Sequence, residues 1–175
     1  MLSTQEFTKI VYDYYADNKR NFIWRDTQNS YWVVVSELML QQTQTFRVEQ
    51  KFENFVRILP TFNVLAQAPF VQVLSLWKGL GYNRRALYVH QIAQKIVGAY
   101  AGVVPEEPFL LENFPGIGPA TARSIVVFAY NKPEVFIETN IRAVFLHHFF
   151  PGVCEVDDKE LLPLVEKTLD NANSI

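Results

Sequence analysis

Cysteine is almost absent from this sequence of 175 residues, in which Cys154 is the only one. A single thiol excludes an intrachain disulfide and any four-cysteine metal or iron–sulfur site built by this chain alone. It also fits a reducing compartment, so we expect a cytoplasmic protein. No apolar run approaches the length of a membrane span, and the N-terminus lacks the apolar segment of a secretion signal.

Acidic residues are missing from two segments, although the whole chain carries a net charge of −2. Residues 54–105 contain no Asp or Glu, and residues 113–133 contain none either. The cations within these segments are Arg57, Lys78, Arg84, Arg85, Lys95, Arg123 and Lys132. Such asymmetry can place a basic face on an acidic protein, which would suit contacts with phosphates. A chance clustering of solvated charges explains the pattern equally well.

Glycine occurs only seven times, and neither repeats nor Gly/Ser linkers divide the chain, so we expect residues 1–175 to form one domain. Hydrophobic residues make up 49% of the sequence and recur at helical spacing almost throughout, which predicts an all-α fold with a sizeable core. The predicted helices run from a Ser3 cap to residue 16 and then over 30–42, 46–58, 71–77, 84–100, 120–129, 140–149 and 159–169. Residues 125–128 could form a strand, but the preceding cap and glycine favour a buried helix.

The segment 110–125 holds the most informative turn of the sequence. Gly116 and Gly118 allow a tight Pro-Gly-Ile-Gly turn, and Pro119 suits the first position of the helix that follows. Backbone N–H groups near Gly116, Gly118 and Thr121 would then point outward together and form a seat for a phosphate. A plain connector between two helices is the alternative.

Four further strings accompany this turn in a recognisable order. They are Trp-Arg at 24–25, Ser-Glu-Leu-Met-Leu-Gln-Gln-Thr-Gln at 36–44, Leu-Trp-Lys-Gly-Leu-Gly-Tyr at 76–82 and Glu-Thr-Asn-Ile at 138–141. With a helix on each side, the turn resembles the helix-hairpin-helix of DNA glycosylases, and the strings resemble those of adenine DNA glycosylases of the MutY type. The resemblance covers residues 22–150, which is most of the chain.

The resemblance implies a helix-hairpin-helix glycosylase fold and double-stranded DNA with a mispaired base as the partner, and we expect a monomer. It implies a monofunctional base-excision-repair enzyme that hydrolyses the N-glycosidic bond of a flipped adenine opposite 8-oxoguanine or guanine. Two alternatives stay open. The same fold could act on another mispaired or damaged base, or the chain could bind DNA with little or no chemistry.

Two carboxyl groups are candidates for that chemistry. Glu37 lies in a very apolar predicted helix, where desolvation would raise its pKa and prepare it to donate a proton, although a buried structural glutamate is the alternative. The resemblance implies that Glu37 is the general acid that protonates the departing purine. Glu138 stands where the family carries an aspartate that stabilises the positively charged sugar, at a place where it could simply cap a helix. Because Glu is one methylene longer, this departure puts the activity or the substrate in question.

The resemblance also implies which residues form the base pocket. Arg25 matches an arginine that contacts the flipped adenine, although a surface arginine bonded to a loop would give the same sequence. Ala120 stands where bifunctional relatives carry a lysine nucleophile, which implies hydrolysis by water without a covalent lyase step.

Four residues are expected to contact the duplex outside this pocket. Gln42 and Tyr82 match residues that are wedged into the base stack of the DNA, where an amide and an aromatic ring can fill the gap left by an extruded base. Tyr82 could equally be a core aromatic. Arg84 and Arg85 follow directly and are expected to bind phosphates.

Two features usual in this family do not occur in the sequence. The four cysteines of its iron–sulfur loop are absent, and so is the C-terminal domain that reads 8-oxoguanine, so we expect no cofactor and either a shortened form or a cluster-free minimal relative. The three histidines lack the spacing of a zinc site, and no metal site is predicted.

Overall fold

The computed structural model describes residues 2–25, 27–153 and 155–172, so Cys154 lies outside the described residues. Within these ranges the chain forms ten α-helices and no β-strand, which confirms the all-α prediction. The helices are α1 (Thr4–Asn18), α2 (Ser30–Leu40), α3 (Thr45–Ile58), α4 (Phe62–Gln67), α5 (Phe70–Trp77), α6 (Arg84–Tyr100), α7 (Pro108–Leu111), α8 (Pro119–Tyr130), α9 (Thr139–Phe149) and α10 (Asp158–Thr168). None of the described helices is both long and apolar enough to cross a membrane.

Side-chain caps start several helices where the sequence predicts them. Ser3 accepts a hydrogen bond from the Glu6 N–H, and the Glu6 carboxylate accepts one from the Ser3 N–H, which forms a capping box at α1. Asn29, not Ser30, caps α2 by accepting from the N–H groups of Tyr31 and Trp32. Two short helices, α4 and α7, were not predicted, because they span too few residues to show a helical period.

Helices α2 to α8 surround the larger of two hydrophobic clusters. Its fully buried side chains include Trp77, Phe52 and Phe55. Residues 125–128 lie within α8, as the helix interpretation predicted, and Ile125 and Val126 are fully buried. The continuous apolar face of α2 explains its place in this cluster, since Val33, Val34 and Leu38 have at most 1% of their surface exposed.

The smaller cluster joins α1, α9 and α10. Phe7 of α1 packs its ring against Phe145 and Phe149 of α9, and Leu161 and Val165 of α10 complete the cluster. The segment between α8 and α9 leads the chain from the first cluster to the second. A cavity lies between the two clusters, with walls from both.

Candidate active site

The cavity between the two clusters has a volume of about 550 Å³ and brings together the residues predicted for the base pocket. Its walls include Arg25, Glu37, Ala120 and Glu138, which come from four separate parts of the chain. The lining is mixed, with the aromatic side chains of Phe22, Trp24, Phe128 and Phe136 beside many polar and charged residues. A concave site of this size, which offers both aromatic faces and polar groups, suits a flat organic ring system with hydrogen-bonding edges.

Glu37 is held at the wall of this cavity by α2, and its carboxylate Oε2 accepts a hydrogen bond of 2.9 Å from the Ser124 hydroxyl of α8. Burial raises the pKa of Glu37 above its ordinary value, and the negative charge of Glu138 acts in the same direction. The Ser124 hydrogen bond and the positive charge of Arg25 lower that pKa, but burial has the larger effect. Glu37 therefore keeps its proton to a higher pH than an ordinary glutamate does, which suits a group that donates a proton.

Glu138 caps α9 and faces the cavity as well. Its Oε1 accepts hydrogen bonds of 2.9 Å from the N–H groups of Asn140 and Ile141, and its Oε2 accepts one of 3.2 Å from the Asn140 side chain. The cap proposed as the alternative role is thus present, and it coexists with a place in the cavity wall. Because the first N–H groups of α9 bind this carboxyl group, Glu138 is fixed in position facing the same space as Glu37.

Two arginine side chains also line the cavity. The Arg25 guanidinium stacks over the Phe128 ring at 3.9 Å, which places it in the cavity wall as the base-pocket prediction requires. Arg20 also lines the cavity, with its guanidinium 5.1 Å from the ring centre of Phe22. Sequence reasoning missed Arg20, because a single arginine before an irregular segment carries no pattern. Ala120 contributes only a methyl group to the wall, which leaves room beside Glu37.

The predicted hairpin forms as the end of α7, a turn and the start of α8. Gly116 has a φ of 76°, and a Cβ placed there would lie 2.4 Å from the Tyr88 ring, so only glycine fits. Ile117 is buried and Gly118 exposed, in accord with the expected turn. Gln41 of the α2 terminus donates to the Gly116 carbonyl at 3.0 Å and to the Thr121 hydroxyl at 3.5 Å, a link that the sequence did not reveal.

Gln42 and Tyr82 lie on two exposed turns beside the hairpin. Both residues have positive φ, 52° for Gln42 and 46° for Tyr82, a conformation that is uncommon outside glycine. Tyr82 has 63% of its surface exposed, so the alternative that it is a core aromatic is wrong. The two side chains border one open groove that also contains Arg84 and Thr121. Strained backbone at exposed positions is typical of functional sites, which agrees with the wedge role that the resemblance implies.

Arg85 also borders this groove, but it is not placed as a phosphate ligand, and that prediction is wrong. Only 6% of its surface is exposed, and its guanidinium donates to backbone carbonyls of the two turns. The physical reason is the helical period, because adjacent residues of α6 point about 100° apart, so Arg84 is exposed where Arg85 is buried. Arg84 keeps its predicted place on the groove.

The two acid-free segments do not supply free cations along their whole length. Arg123 pairs with Glu112 and Glu134, which lie just outside its segment, and Lys132 pairs with Glu106 at 2.6 Å. Lys95 donates to the Asn113 carbonyl at 2.9 Å. These segments therefore do not form a broad basic face. Only a few cations border the groove and the cavity.

Metal ligands are not gathered in the described parts of the chain: no group of three or more His, Cys, Asp or Glu residues lies close enough to hold an ion. The iron–sulfur cluster usual in the resembling family does not fit this chain either, because one cysteine cannot supply four thiolates.

The chain has a helical fold in which a Gly-x-Gly hairpin lies beside a cleft with two carboxyl groups, and this arrangement places it in the helix-hairpin-helix class of proteins. Residues 35–162 match the model of the HhH-GPD superfamily of base excision DNA repair proteins. The chain belongs to this family, and the fold class predicted from the sequence is confirmed.

Curated relatives and solved structures agree with this assignment. The adenine DNA glycosylase of Mycolicibacterium smegmatis is 39% identical over 132 residues, which are 75% of this chain and 45% of that protein. The adenine DNA glycosylase of Buchnera aphidicola subsp. Baizongia pistaciae is 27% identical over 99% of this chain and 49% of its own length. The chain thus spans about half the length of these relatives. A thermostable thymine-DNA glycosylase has the same fold, with a TM-score of 0.87 at 22% identity over 96% of this chain and 79% of that chain.

Proposed function

We propose that the chain is the catalytic part of a monofunctional adenine DNA glycosylase, which removes adenine from a mispair with 8-oxoguanine or guanine in double-stranded DNA. The observation that carries this proposal is the Glu37 carboxyl group, half-buried at the cavity wall with a pKa above its ordinary value and hydrogen-bonded by the Ser124 hydroxyl. The relatives named adenine DNA glycosylase support the choice of base. A protein with this role would act as a monomer in the cytoplasm, on the nucleoid of a bacterium.

The proposed reaction begins when the adenine leaves the stack and enters the cavity. Glu37 donates its proton to the purine as the bond between the sugar C1′ and the base nitrogen breaks, and the bonding electrons leave with the base. The sugar becomes positively charged in the transition state, and the fixed carboxylate of Glu138 stabilises that charge. Water then attacks C1′ and gives its proton to the Glu37 carboxylate, which leaves an abasic site and restores the acid.

The chemistry of one residue in the cavity wall supports hydrolysis without strand cleavage. Ala120 has no amine that could attack the sugar, so a covalent Schiff-base intermediate at this position is excluded by its chemistry. The alternative of another target base rests on Glu138, Ala120 and Asn83, which differ from the family pattern around the pocket and the wedge.

The test is single-turnover base release from duplexes that contain one A:8-oxoguanine, A:G, T:G or U:G pair, each analysed with and without alkali. We expect release from the two adenine mispairs, with strand breaks only after alkali. The Glu37→Gln variant keeps the shape and the Ser124 contact but cannot donate an acid proton, and should lose at least a hundredfold in rate. Release of a pyrimidine instead, or unchanged release by Glu37→Gln, would contradict the proposal.

A further inference from the structure

The two exposed turns that present Gln42 and Tyr82 share one buried cation. Arg85 projects from the first turn of α6 into the space between them. Its Nη1 donates to the carbonyls of Leu38 at 2.9 Å and Met39 at 2.8 Å, and also to the Gln41 carbonyl. These acceptors are the last carbonyls of α2 and its cap, which carry the negative end of the helix dipole.

The second terminal nitrogen of the guanidinium, Nη2, contacts the turn that contains Tyr82. Arg85 Nη2 donates to the Leu80 carbonyl at 3.3 Å and to the Gly81 carbonyl at 3.1 Å, directly before Tyr82. It also donates to the Thr43 hydroxyl at 2.8 Å, directly after Gln42. The residues on both sides of Gln42 and the residues that lead into Tyr82 are therefore bound to one planar group.

Thr43 closes the connection between the turns. Its hydroxyl lies 3.2 Å from the Leu80 carbonyl and 3.3 Å from the Gln41 carbonyl, so it can donate to either while accepting from Arg85. The backbone N–H of Arg85 donates to the Tyr82 carbonyl at 2.9 Å, which joins the second turn to α6. Positive φ at Gln42 and Tyr82 is unfavourable by itself and persists only where surrounding contacts fix it.

We propose that Arg85 is a positioning residue that holds Gln42 and Tyr82 in one rigid wedge, and so sets how well the protein keeps a base out of the DNA stack. This inference rests on the proposed function for the role of the two side chains, and on the structure for the link between them. Contact with both turns requires two terminal nitrogens in a planar group, as in arginine. A lysine has a single ammonium nitrogen and cannot make both sets of contacts.

The test compares Arg85→Lys with Arg84→Ala, the neighbouring arginine that is exposed on the groove. Two duplexes serve as probes: one with a tetrahydrofuran abasic analogue opposite guanine, and the same duplex without the lesion. Binding is measured over a series of salt concentrations, and base extrusion is followed by the fluorescence of 2-aminopurine paired with guanine. None of these readouts requires base release.

Arg85→Lys should lose about tenfold or more of the preference for the abasic duplex and most of the 2-aminopurine signal, because the wedge is no longer fixed. Its salt dependence on the undamaged duplex should stay that of the wild type. Arg84→Ala should keep the preference, and the slope of log K against log salt should fall by about 0.9 if that side chain neutralises one phosphate. Because lysine also neutralises phosphates, the alternative is tested with Arg85→Gln, which removes the charge: a salt slope reduced by about 0.9 in that variant would overturn the proposal, because it would mean that Arg85 binds phosphate.

A double-mutant cycle separates positioning from a general loss of stability. If Arg85 acts through the wedge, Arg85→Lys should cost little further preference once Tyr82 is alanine, whereas independent effects would add and overturn the proposal. If Arg85→Lys does not fold, Thr43→Val removes the hydroxyl that bridges the turns without removing a buried charge, and it should lower the preference in the same way. An unchanged preference in Thr43→Val would then count against the proposal.

The outcome is distinguishable from that of the proposed function. A wild-type protein that releases no base but loses its abasic preference with Arg85→Lys supports the wedge and refutes the glycosylase assignment. A wild-type protein that releases adenine, while Arg85→Lys keeps its full abasic preference and 2-aminopurine signal, refutes the wedge alone. No preference for the abasic duplex in the wild type also refutes the wedge.

Discussion

The hydrogen bond between Ser124 and Glu37 makes a sharp prediction about pH dependence. Burial raises the pKa of Glu37, and the Ser124 hydroxyl partly opposes this by donating to the ionised carboxylate. In Ser124→Ala the opposing contact is lost, so the pKa of Glu37 should rise further. A general acid works only when protonated, so the rate of base release falls as the pH rises through this pKa. The alkaline limb of the pH–rate profile should therefore move to higher pH in the variant.

The size of the effect follows from the contact itself. A hydrogen bond to a charged group contributes about 1.5–3 kcal/mol, and part of it is recovered when the carboxyl is neutral. A net difference of about 1.4 kcal/mol changes the ratio of protonated to ionised Glu37 tenfold at a fixed pH. On the alkaline limb, Ser124→Ala should therefore release base up to about tenfold faster than the wild type. On the acidic plateau the two rates should differ little.

The assay is single-turnover adenine release from an A:8-oxoguanine duplex between pH 5 and 10, with thermal unfolding followed in parallel. Ser36→Ala is the matched control, because Ser36 lies next to Glu37 on α2 but donates its hydroxyl to the Val33 carbonyl at 2.9 Å. That control should leave the limb in place. An alkaline limb that stays fixed or moves to lower pH in Ser124→Ala would refute the assignment of Glu37 as the acid oriented by Ser124.

Three further predictions concern the hairpin and the two carboxyl groups. Gly116→Ala should destabilise the fold by about 1–3 kcal/mol in urea unfolding, because of its positive φ and the close Tyr88 ring, whereas Gly118→Ala, with open space and ordinary φ, should be nearly neutral. Glu138→Ala should cost about 1 kcal/mol of stability by removing the α9 cap. Glu138→Gln should keep more of that stability and still lose most of the rate of base release. Equal rates for Glu138→Gln and the wild type would show that the charge of Glu138 is not used. The native state holds the Glu37 proton more tightly than the unfolded chain does, so the free energy of unfolding should fall as the pH rises above the pKa of the unfolded chain. Glu37→Gln should therefore be as stable as the wild type near pH 4 and more stable at pH 8. A wild type that is the more stable protein at pH 8 would contradict the burial argument.

The sequence predicts most of the long helices because each has a cap or a punctuating proline and a full apolar period. Ser3, Pro119 and the region of Glu138 mark helix starts that the structure contains. The second helix was predicted to run to Gln42 but ends at Leu40, because the chain turns there into the left-handed conformation of Gln42. Nothing in the composition signals that turn, since glutamine is a good helix former and positive φ is rare for it.

Contacts between distant segments are what the sequence could not supply. From the sequence, Arg85 is predicted, like Arg84, to be a phosphate ligand. Its acceptors are instead carbonyls 44 to 47 positions away, the Thr43 hydroxyl 42 positions away and two carbonyls of the nearby loop. Similarly, the Gln41 contact with the hairpin spans 75 positions. Local periodicity could suggest that Arg85 points away from Arg84, but not that two carbonyl-rich turns meet where it points.

Ala120 and Glu138 depart from the family pattern, and the neighbouring side chains indicate whether these departures remove the chemistry of the cavity. Alanine at position 120 removes a side chain that could contact the acid, and the hydroxyl that does contact Glu37 comes from Ser124, one helical turn further along α8. Residues four apart lie on the same helix face, so α8 still directs a donor at the carboxyl while the space next to it stays open. Glu138 similarly uses its longer side chain to cap α9 and still faces the cavity. The cavity wall therefore keeps both a hydroxyl donor to Glu37 and a second carboxyl group despite the two departures, which favours retained chemistry over a chain that only binds DNA.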